Sequence, residues 1–406
     1  MNLWNRIKNV FKDELISPLD SPEEWLIDAL GGQKSSSGIR VNETTAVKVI
    51  AVFACLRLIS EQLACLPINV YRYTDRGKEK DRTHSVDYLI SESPNDYMTA
   101  FEFWQIMIVN LVLCGDCYAE IVRKNGRPIE LWPIPANRVI KDTKNYKEPV
   151  YFVQIENEYR TLYTENILHI PGMGQEYLKS YNPVVIAREC LGLSLAAERF
   201  ASDYFANGAH PSGVVETDQN LSEPAFERLK QSINEKYVGL GKTNRVMLLE
   251  EGLKYKSIAG APKESQMLET RQHQVVEVAR LFNVPPHKIM DMTKATFSNI
   301  EELNISFAQD TLVPYCIRIQ QALKQKLFLS HEKKEYFIEY NLGALLRGKL
   351  KDRYEAYAIG RNWGWLSVND IRAKESESAI ENGDIYLTPL NMVESGKPLK
   401  GGENDE

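Results

Sequence analysis

No stretch of this 406-residue chain is apolar enough to cross a bilayer. The most apolar run, Phe101 to Leu113, is too short and carries Gln105 and Asn110. The opening MNLWNRIKNVFKDEL is amphipathic, contains Asp and Glu, and lacks the apolar core of a secretory signal. The expectation is a soluble protein with no membrane partner. A basic surplus is also missing: 49 Lys+Arg stand against 55 Asp+Glu, a formal net charge of −6. Proteins that grip nucleic acid by its phosphates usually carry such a surplus. This balance argues against a tight general DNA binder, though not against a surface past which DNA slides. Cysteine is sparse, at positions 55, 65, 114, 117, 190 and 316. Most of these lie in apolar runs, where a free thiol behaves as a small hydrophobe. Cys114 and Cys117 form one CxxC, CGDC, and no second pair or nearby histidines complete a zinc site. Buried thiols in a reducing compartment are expected.

Catalytic signatures are missing too. There is no GxSxG, HExxH, Walker A, or GxGxxG after a strand. Glu250-Glu251 and Glu301-Glu302 read as solvated or capping charges. His169 lies in a strand-like run and reads as a packed structural residue. His273 and His287 are isolated from any nucleophile. The expectation is a non-enzymatic protein without cofactor or metal. The rival reading is a nucleic-acid or nucleotide-processing enzyme using CGDC or His273.

What the sequence does contain is length and helical pattern. The composition, 43% hydrophobic and 26% charged, is ordinary for a globular protein of two or three domains or one multi-part subunit. Residues 1–40 read as an arm ending in the linker GGQKSSSG. Ala46 to Cys65 reads as a helix, stopped by Pro67 and followed by the strand INVYRY. Thr99 and Glu102 have capping-box spacing at the head of a buried helix. Beyond Tyr118 the period changes to two, and Asn125-Gly126 predicts a type I′ hairpin. Asn182-Pro183 predicts the start of a long helix running to about Asn207. PSGVVE at 211–216 reads as a short strand.

A charged helix capped by Ser222 then leads out. Two short strands, Arg245–Leu249 and Leu253–Ile258, are joined at Glu250-Glu-Gly252. A second helix, Ser265 to about Phe282, leads back. Asp291 to Ser298 forms a polar loop, and Ser298 with Glu301 has capping-box spacing. The longest helical pattern follows, with apolar Leu303, Phe307, Tyr315, Ile319, Leu323 and Leu327. Roughly 30 residues at about 1.5 Å each give a rod on the order of 45 Å. Pro314 inside it predicts a kink. YFIEY at 336–340 reads as a strand able to rejoin the first sheet. A helix at Lys349–Arg361, a Trp363-Gly-Trp365 turn and a short helix capped by Ser367 with Asp370 complete the pattern.

These segments resemble the portal proteins of tailed bacteriophages, in the form common among long-tailed phages. The likeness is carried by AVFACLRLISEQLACLPINVYR (51–72), YAEIVRKNGRPIELWPIPANRV (118–139), SLAAERFASDYFANGAHPSGVVE (194–216), LLEEGLKYKSIAGAPKESQMLETRQHQVVEVARLFNVPPHKI (248–289), FSNIEELNISFAQDTLVPYCIRIQQAL (297–323) and YFIEYNLGALLRGKLKDRYEAY (336–357). The resemblance implies an elongated α+β subunit. Its parts would be an N-terminal arm (1–40), an α/β wing (41–220, with 331–345 returning to it), a stem helix out (221–238), a small clip (239–264) and a stem helix back (265–286). A tunnel loop (287–298), a kinked tunnel helix (299–330) and a helical crown with its tail (346–406) would follow.

It also implies a closed ring, usually of twelve copies, at one capsid vertex of the virion. The ring would be assembled in the host cytoplasm and would pass double-stranded DNA during packaging and ejection. Implied partners are the terminase large subunit, a head-tail adaptor, and the major capsid and scaffolding proteins. Thr293, Lys294, Thr296 and Ser298 would face DNA. Lys242, Arg245, Glu250, Glu251, Lys254 and Lys256 would form the clip's docking surface, and Pro314 the helix kink.

Overall fold

Local capping signals decide where the helices begin. A computed structural model of the chain describes residues 34–75, 77–143, 145, 147–155, 158–206, 213–216, 222–224, 226–228, 230–231, 254–257, 264–292, 300–342, 350–375 and 377–387. It divides into two compact units, Met1–Asn341 and Leu342–Glu406.

In the first unit, Asn42 and Thr45 close a capping box over the single turn Glu43–Ala46. The chain is extended at Val49 (φ −71°, ψ 113°) before helix α1, Ile50–Ala64, begins. The one helix expected from Ala46 is therefore two pieces, because the Asn42 cap nucleates its own turn ahead of the apolar run. Strand β1, Ile68–Thr74, and strand β2, Gly77–Lys80, follow. Helix α2, Ser85–Ser91, places Asp87 where its carboxylate accepts the Val70 N–H at 2.7 Å, tying α2 to β1. Helix α3, Ala100–Cys114, opens on the Thr99–Glu102 capping box and ends at Gly115, left-handed at φ +84°. A Cβ on Gly115 would lie 2.2 Å from the Tyr181 carbonyl oxygen, so both backbone shape and space require glycine.

Strands β3, Asp116–Lys124, and β4, Arg127–Ile134, form the hairpin, with Asn125 (φ 53°) and Gly126 (φ 80°) both left-handed as a type I′ turn demands. Strands β5, Val139–Asp142, β6, Val150–Ile155, and β7, Glu158–Tyr163, make a meander, and β8, Ile167–Pro171, pairs with β3. Tyr118, Tyr151, Val153, Leu162 and Ile167 pack these two sheets into one core. The run after Asn182 is interrupted at Ala187, giving a turn at Pro183–Ile186 and helix α4, Arg188–Ala206.

Strand β9, Gly213–Glu216, pairs antiparallel with strand β10, Lys254–Ser257, in the register Gly213↔Ser257 to Glu216↔Lys254. The resemblance assigns these two strands to separate parts, the wing (41–220) and the clip (239–264). Their cross-strand pairing is a long-range contact, which no local signal encodes. Helix α5, Glu264–Leu281, runs toward Asn283. Helix α6, Ile300–Ser306, a π-helical segment at Phe307–Leu312, and helix α7, Val313–Leu327, then follow in unbroken succession. Strand β11, Tyr336–Tyr340, returns to β1 in the register Ile68↔Tyr340 through Arg72↔Tyr336. The alternating YFIEY pattern anticipated this return.

The second unit contains helix α8, Leu350–Asn362, and helix α9, Val368–Lys374. Gly364, at φ +77°, turns the chain between them, and Ser367 with Asp370 closes the expected capping box. Among the described residues every sheet has two or three strands. The architecture is a mixed α+β one without a barrel.

Candidate functional site: a latched helix break

The longest helical pattern of the sequence forms α6, the π-helical segment and α7. Its irregularity has a chemical cause. In a regular helix the Asp310 carbonyl accepts the N–H of residue 314. Pro314 has none to give. The segment before it winds wider instead, and the Val313 N–H reaches the Ala308 carbonyl, five residues back. The freed Asp310 carbonyl accepts from the Asn283 side chain at 3.1 Å. In return, the Thr311 hydroxyl donates to the Asn283 carbonyl at 2.5 Å. Asn283 is left-handed (φ 53°), a conformation asparagine tolerates better than most residues. Ser306 adds a bond to the Asp310 carboxylate at 2.6 Å. The end of α5 is thus stitched to the helix break by two reciprocal bonds. Pro314 is recognisable in the sequence. The distant asparagine that satisfies the carbonyl it frees is not.

Beyond the break, α7 is fixed to the sheets. Cys316, Ile319, Leu323 and Leu327 form its buried stripe. Each large side chain so buried contributes roughly 1.5–3 kcal/mol. Arg318 donates to the carbonyls of Pro171 and Gly172, both at 2.6 Å, at the end of β8. Arg123 donates to the carbonyls of Glu165 (3.1 Å), Gly126 (3.0 Å) and Lys326 (2.6 Å). The Lys326 ammonium donates to the Thr164 carbonyl at 2.6 Å. Burial, helped by the nearby Arg123 and Lys333 charges, lowers Lys326 to about 8. These bonds hold the far end of α7 against the β3–β4 hairpin.

The sequence-derived site residues fall into two groups. Thr293, Lys294, Thr296 and Ser298, and with them the polar loop beyond Met292, lie outside the described residues. So do Lys242, Arg245, Glu250 and Glu251. Lys254 and Lys256 are described. Both are exposed on β10, with Lys254 directly opposite Glu216 and Lys256 opposite Val214.

Next to this framework lies a polar cluster that sequence reasoning saw only as a packed histidine. Asp116, the aspartate of CGDC, accepts from His169 Nε2 at 2.8 Å, from Lys141 at 2.7 Å and from Ser180 at 2.7 Å. Tyr151 Oη and His169 Nδ1 are 3.1 Å apart. One assignment satisfies the set: neutral His169 donates from Nε2 and accepts the Tyr151 hydroxyl at Nδ1. Burial lowers the His169 pKa against the opposing pull of Asp116. Burial by itself would raise the Asp116 carboxyl, but the His169 hydrogen bond and the Lys141 charge outweigh it and hold Asp116 below its usual value. The cluster ties β3, β5, β6 and β8 together and is itself buried, with His169 at 5% exposure.

Burial pushes the Cys114 thiol up to about 12 and Cys117 well above its ordinary value. Neither is a thiolate at neutral pH, so CGDC supplies no nucleophile. His273 is exposed on α5, 3.8 Å from Glu277. Among the described residues no cluster of three or more His, Cys, Asp or Glu side chains is placed to hold a metal, and no helix is long and apolar enough to cross a membrane.

Among the described residues the arrangement is a helix, α5, tied through Asn283 to the break between α6 and α7, with α7 anchored on small antiparallel sheets. Comparison with known proteins gives this architecture its family. The model of the phage portal protein family matches residues 50–376, and the chain belongs to that family. It is 32% identical to the probable portal protein of Streptomyces phage phiC31, over 90% of this chain and 83% of that one. It is 31% identical to the portal protein of Enterobacteria phage HK97, over 96% of this chain and 92% of that one. A chain in the neck of a native gene transfer agent particle, computed with C12 symmetry, shares the fold with a TM-score of 0.53 at 22% identity, covering 81% of this chain and 91% of that one.

Proposed function

We propose that the protein forms a closed ring at one vertex of a phage capsid and serves as the conduit for double-stranded DNA during packaging and ejection. The observation that carries this reading is the family match spanning residues 50–376, supported by the latched helix break that follows α5. In a ring, the loop between α5 and α6 would be the constriction, with the chain before it tied to the helix break by the Asn283 latch and α7 tied to β8 by Arg318. Necks of gene transfer agent particles that share the fold, computed with C12 and with C6 symmetry, support a ring, and twelve copies is the count we propose.

Thr293, Lys294, Thr296 and Ser298 would face the DNA. One lysine among hydroxyls touches phosphates without holding them, and a chain of net charge −6 adds little adhesion, so the duplex stays mobile. The protein itself hydrolyses nothing. The terminase large subunit supplies the work from a clip that includes Lys242, Arg245, Glu250, Glu251, Lys254 and Lys256. A head-tail adaptor, the major capsid protein and scaffolding protein complete its partners. It acts in the virion after assembly in the host cytoplasm. Deleting Thr293–Ser298 tests the loop's role. Rings that assemble but fail to retain packaged DNA are expected, and unchanged packaging and retention would remove the loop from the mechanism.

A further inference from the structure

The far end of α7 borders a cavity of about 1110 Å³. Its other walls are the turn of the β3–β4 hairpin, the β5–β6 connection and the turn at Thr164–Asn166. Three cations line it, Arg123, Lys326 and Lys333, and each is half-buried. The bonds of the first two go to the backbone. One ammonium N–H of Lys326 reaches the Thr164 carbonyl, and each guanidinium nitrogen of Arg123 reaches one carbonyl. None of the three cations forms an ion pair with a described carboxylate. A guanidinium has five N–H groups and an ammonium three, so Arg123 and Lys326 each keep two to give.

Positive charge taken out of water without a counter-charge is costly. The strain falls on Lys326, where burial and the charges of Arg123 and Lys333 all favour loss of the proton and no carboxylate opposes them. Glu165 favours the charged form of Arg123, but lies beyond ion-pair reach. Asp142 and Glu148 line the same cavity without acting on Lys326. The positive field is therefore concentrated where α7 ends.

We propose that Arg123, Lys326 and Lys333 bind a phosphate group carried by a small molecule, a free polyphosphate or a nucleoside polyphosphate. A carboxylate brings two oxygens and a single charge. A terminal phosphate brings three acceptor oxygens and close to two charges, which suits a guanidinium fork with two ammonium groups beside it. The cavity is much larger than one phosphate and falls at the upper end of the range for small-molecule sites, roughly 300–1,000 Å³. It has room for the rest of such a ligand. A bound phosphate would bridge the β3–β4 hairpin to the end of α7. All three cations belong to one chain, so the site does not depend on the ring reading.

The test uses the full chain in phosphate-free buffer. At pH 8 about half of the Lys326 side chains are uncharged amine. Acetylation by an N-hydroxysuccinimide ester, mapped by peptide mass, therefore reports on this lysine directly. Tripolyphosphate and ATP are titrated at constant ionic strength, with sodium chloride and a short DNA duplex as separate arms. Both phosphate ligands are expected to protect Lys326 saturably and to raise the melting temperature. Tighter protection by ATP would show that the nucleoside is held too, and equal protection that only the phosphate chain is. Lys333→Glu leaves every hydrogen bond of Arg123 and Lys326 in place, and is expected to fold as wild type and weaken protection about ten-fold or more. Lys326→Gln, which keeps a donor for the Thr164 carbonyl, is expected to lose the rise in melting temperature. No saturable protection by either ligand, equal protection by sodium chloride, protection by the duplex alone, or an unchanged midpoint in Lys333→Glu would each overturn the proposal.

Discussion

The Asn283 latch makes a quantitative prediction through non-additivity. Replacing Asn283 by Ala removes the donor to the Asp310 carbonyl and forces alanine into a left-handed backbone. Asp310 and Asn283 are both exposed, so water partly replaces the lost bond. Its net value is then about 1 kcal/mol rather than the larger cost of a buried orphan. The left-handed backbone adds about 1–2 kcal/mol for alanine and almost nothing for glycine. Asn283→Ala is thus expected to cost about 2–3 kcal/mol in sum, and Asn283→Gly about 1.

The decisive comparison is in a Pro314→Ala background. Alanine restores the N–H that the Asp310 carbonyl lacks, so the asparagine becomes redundant there. Asn283→Gly should then cost almost nothing, a coupling of about 1 kcal/mol between residues far apart in sequence. The assay is thermal unfolding of the four proteins at one fixed concentration, where 1 kcal/mol corresponds to roughly 2–4 °C for a domain of this size class. An equal loss from Asn283→Gly with and without Pro314 would refute the idea that the latch exists to satisfy the carbonyl freed by proline.

Other consequences follow from the same geometry. Gly115→Ala should be among the most damaging single substitutions, at more than about 3 kcal/mol, because a positive φ and the Tyr181 carbonyl both oppose a Cβ; loss of soluble folded protein by circular dichroism would show it. Stability should fall on acidification in two stages. Folded His169 refuses a proton that the unfolded side chain accepts near pH 6.5, so the loss begins below that value. Asp116, depressed in the fold, adds its own loss as pH falls below about 4 and through its lowered value. A His169→Gln variant should show a flatter melting temperature between pH 7 and 5, and an unchanged slope would assign the effect elsewhere. Timed alkylation of the native protein at pH 8 should modify exposed Cys65 well before buried Cys55, Cys117 and Cys316, as read by peptide mass mapping. Prompt reaction at Cys117 would contradict the buried, protonated thiol described above.

Sequence signals were most informative where structure is local. The Thr99–Glu102 and Ser367–Asp370 boxes, the Asn125-Gly126 turn and the alternating YFIEY strand each carry their instruction within a few residues, and each forms as expected. The breaks at Val49 and Ala187 carry no glycine or proline at the break itself, so no local residue marks the change in backbone direction. The β9–β10 pairing and the Asn283–Asp310 latch were missed for another reason. Each joins residues whose individual patterns are commonplace, and only the closed chain brings them together. The Asp116 cluster shows the same limit. A histidine in a strand was legible, whereas its lysine, serine and tyrosine partners came from other elements.

Direct imaging of the purified full chain bears on the central claim more squarely than any substitution. Single-particle projections, taken with native mass spectrometry of the same sample, should show a closed ring with an open axial channel and a mass of several hundred kilodaltons, about twelve times 46.4 kDa. A particle of that mass without an axial channel, or a protein that remains a 46.4 kDa monomer at every concentration, would contradict the account.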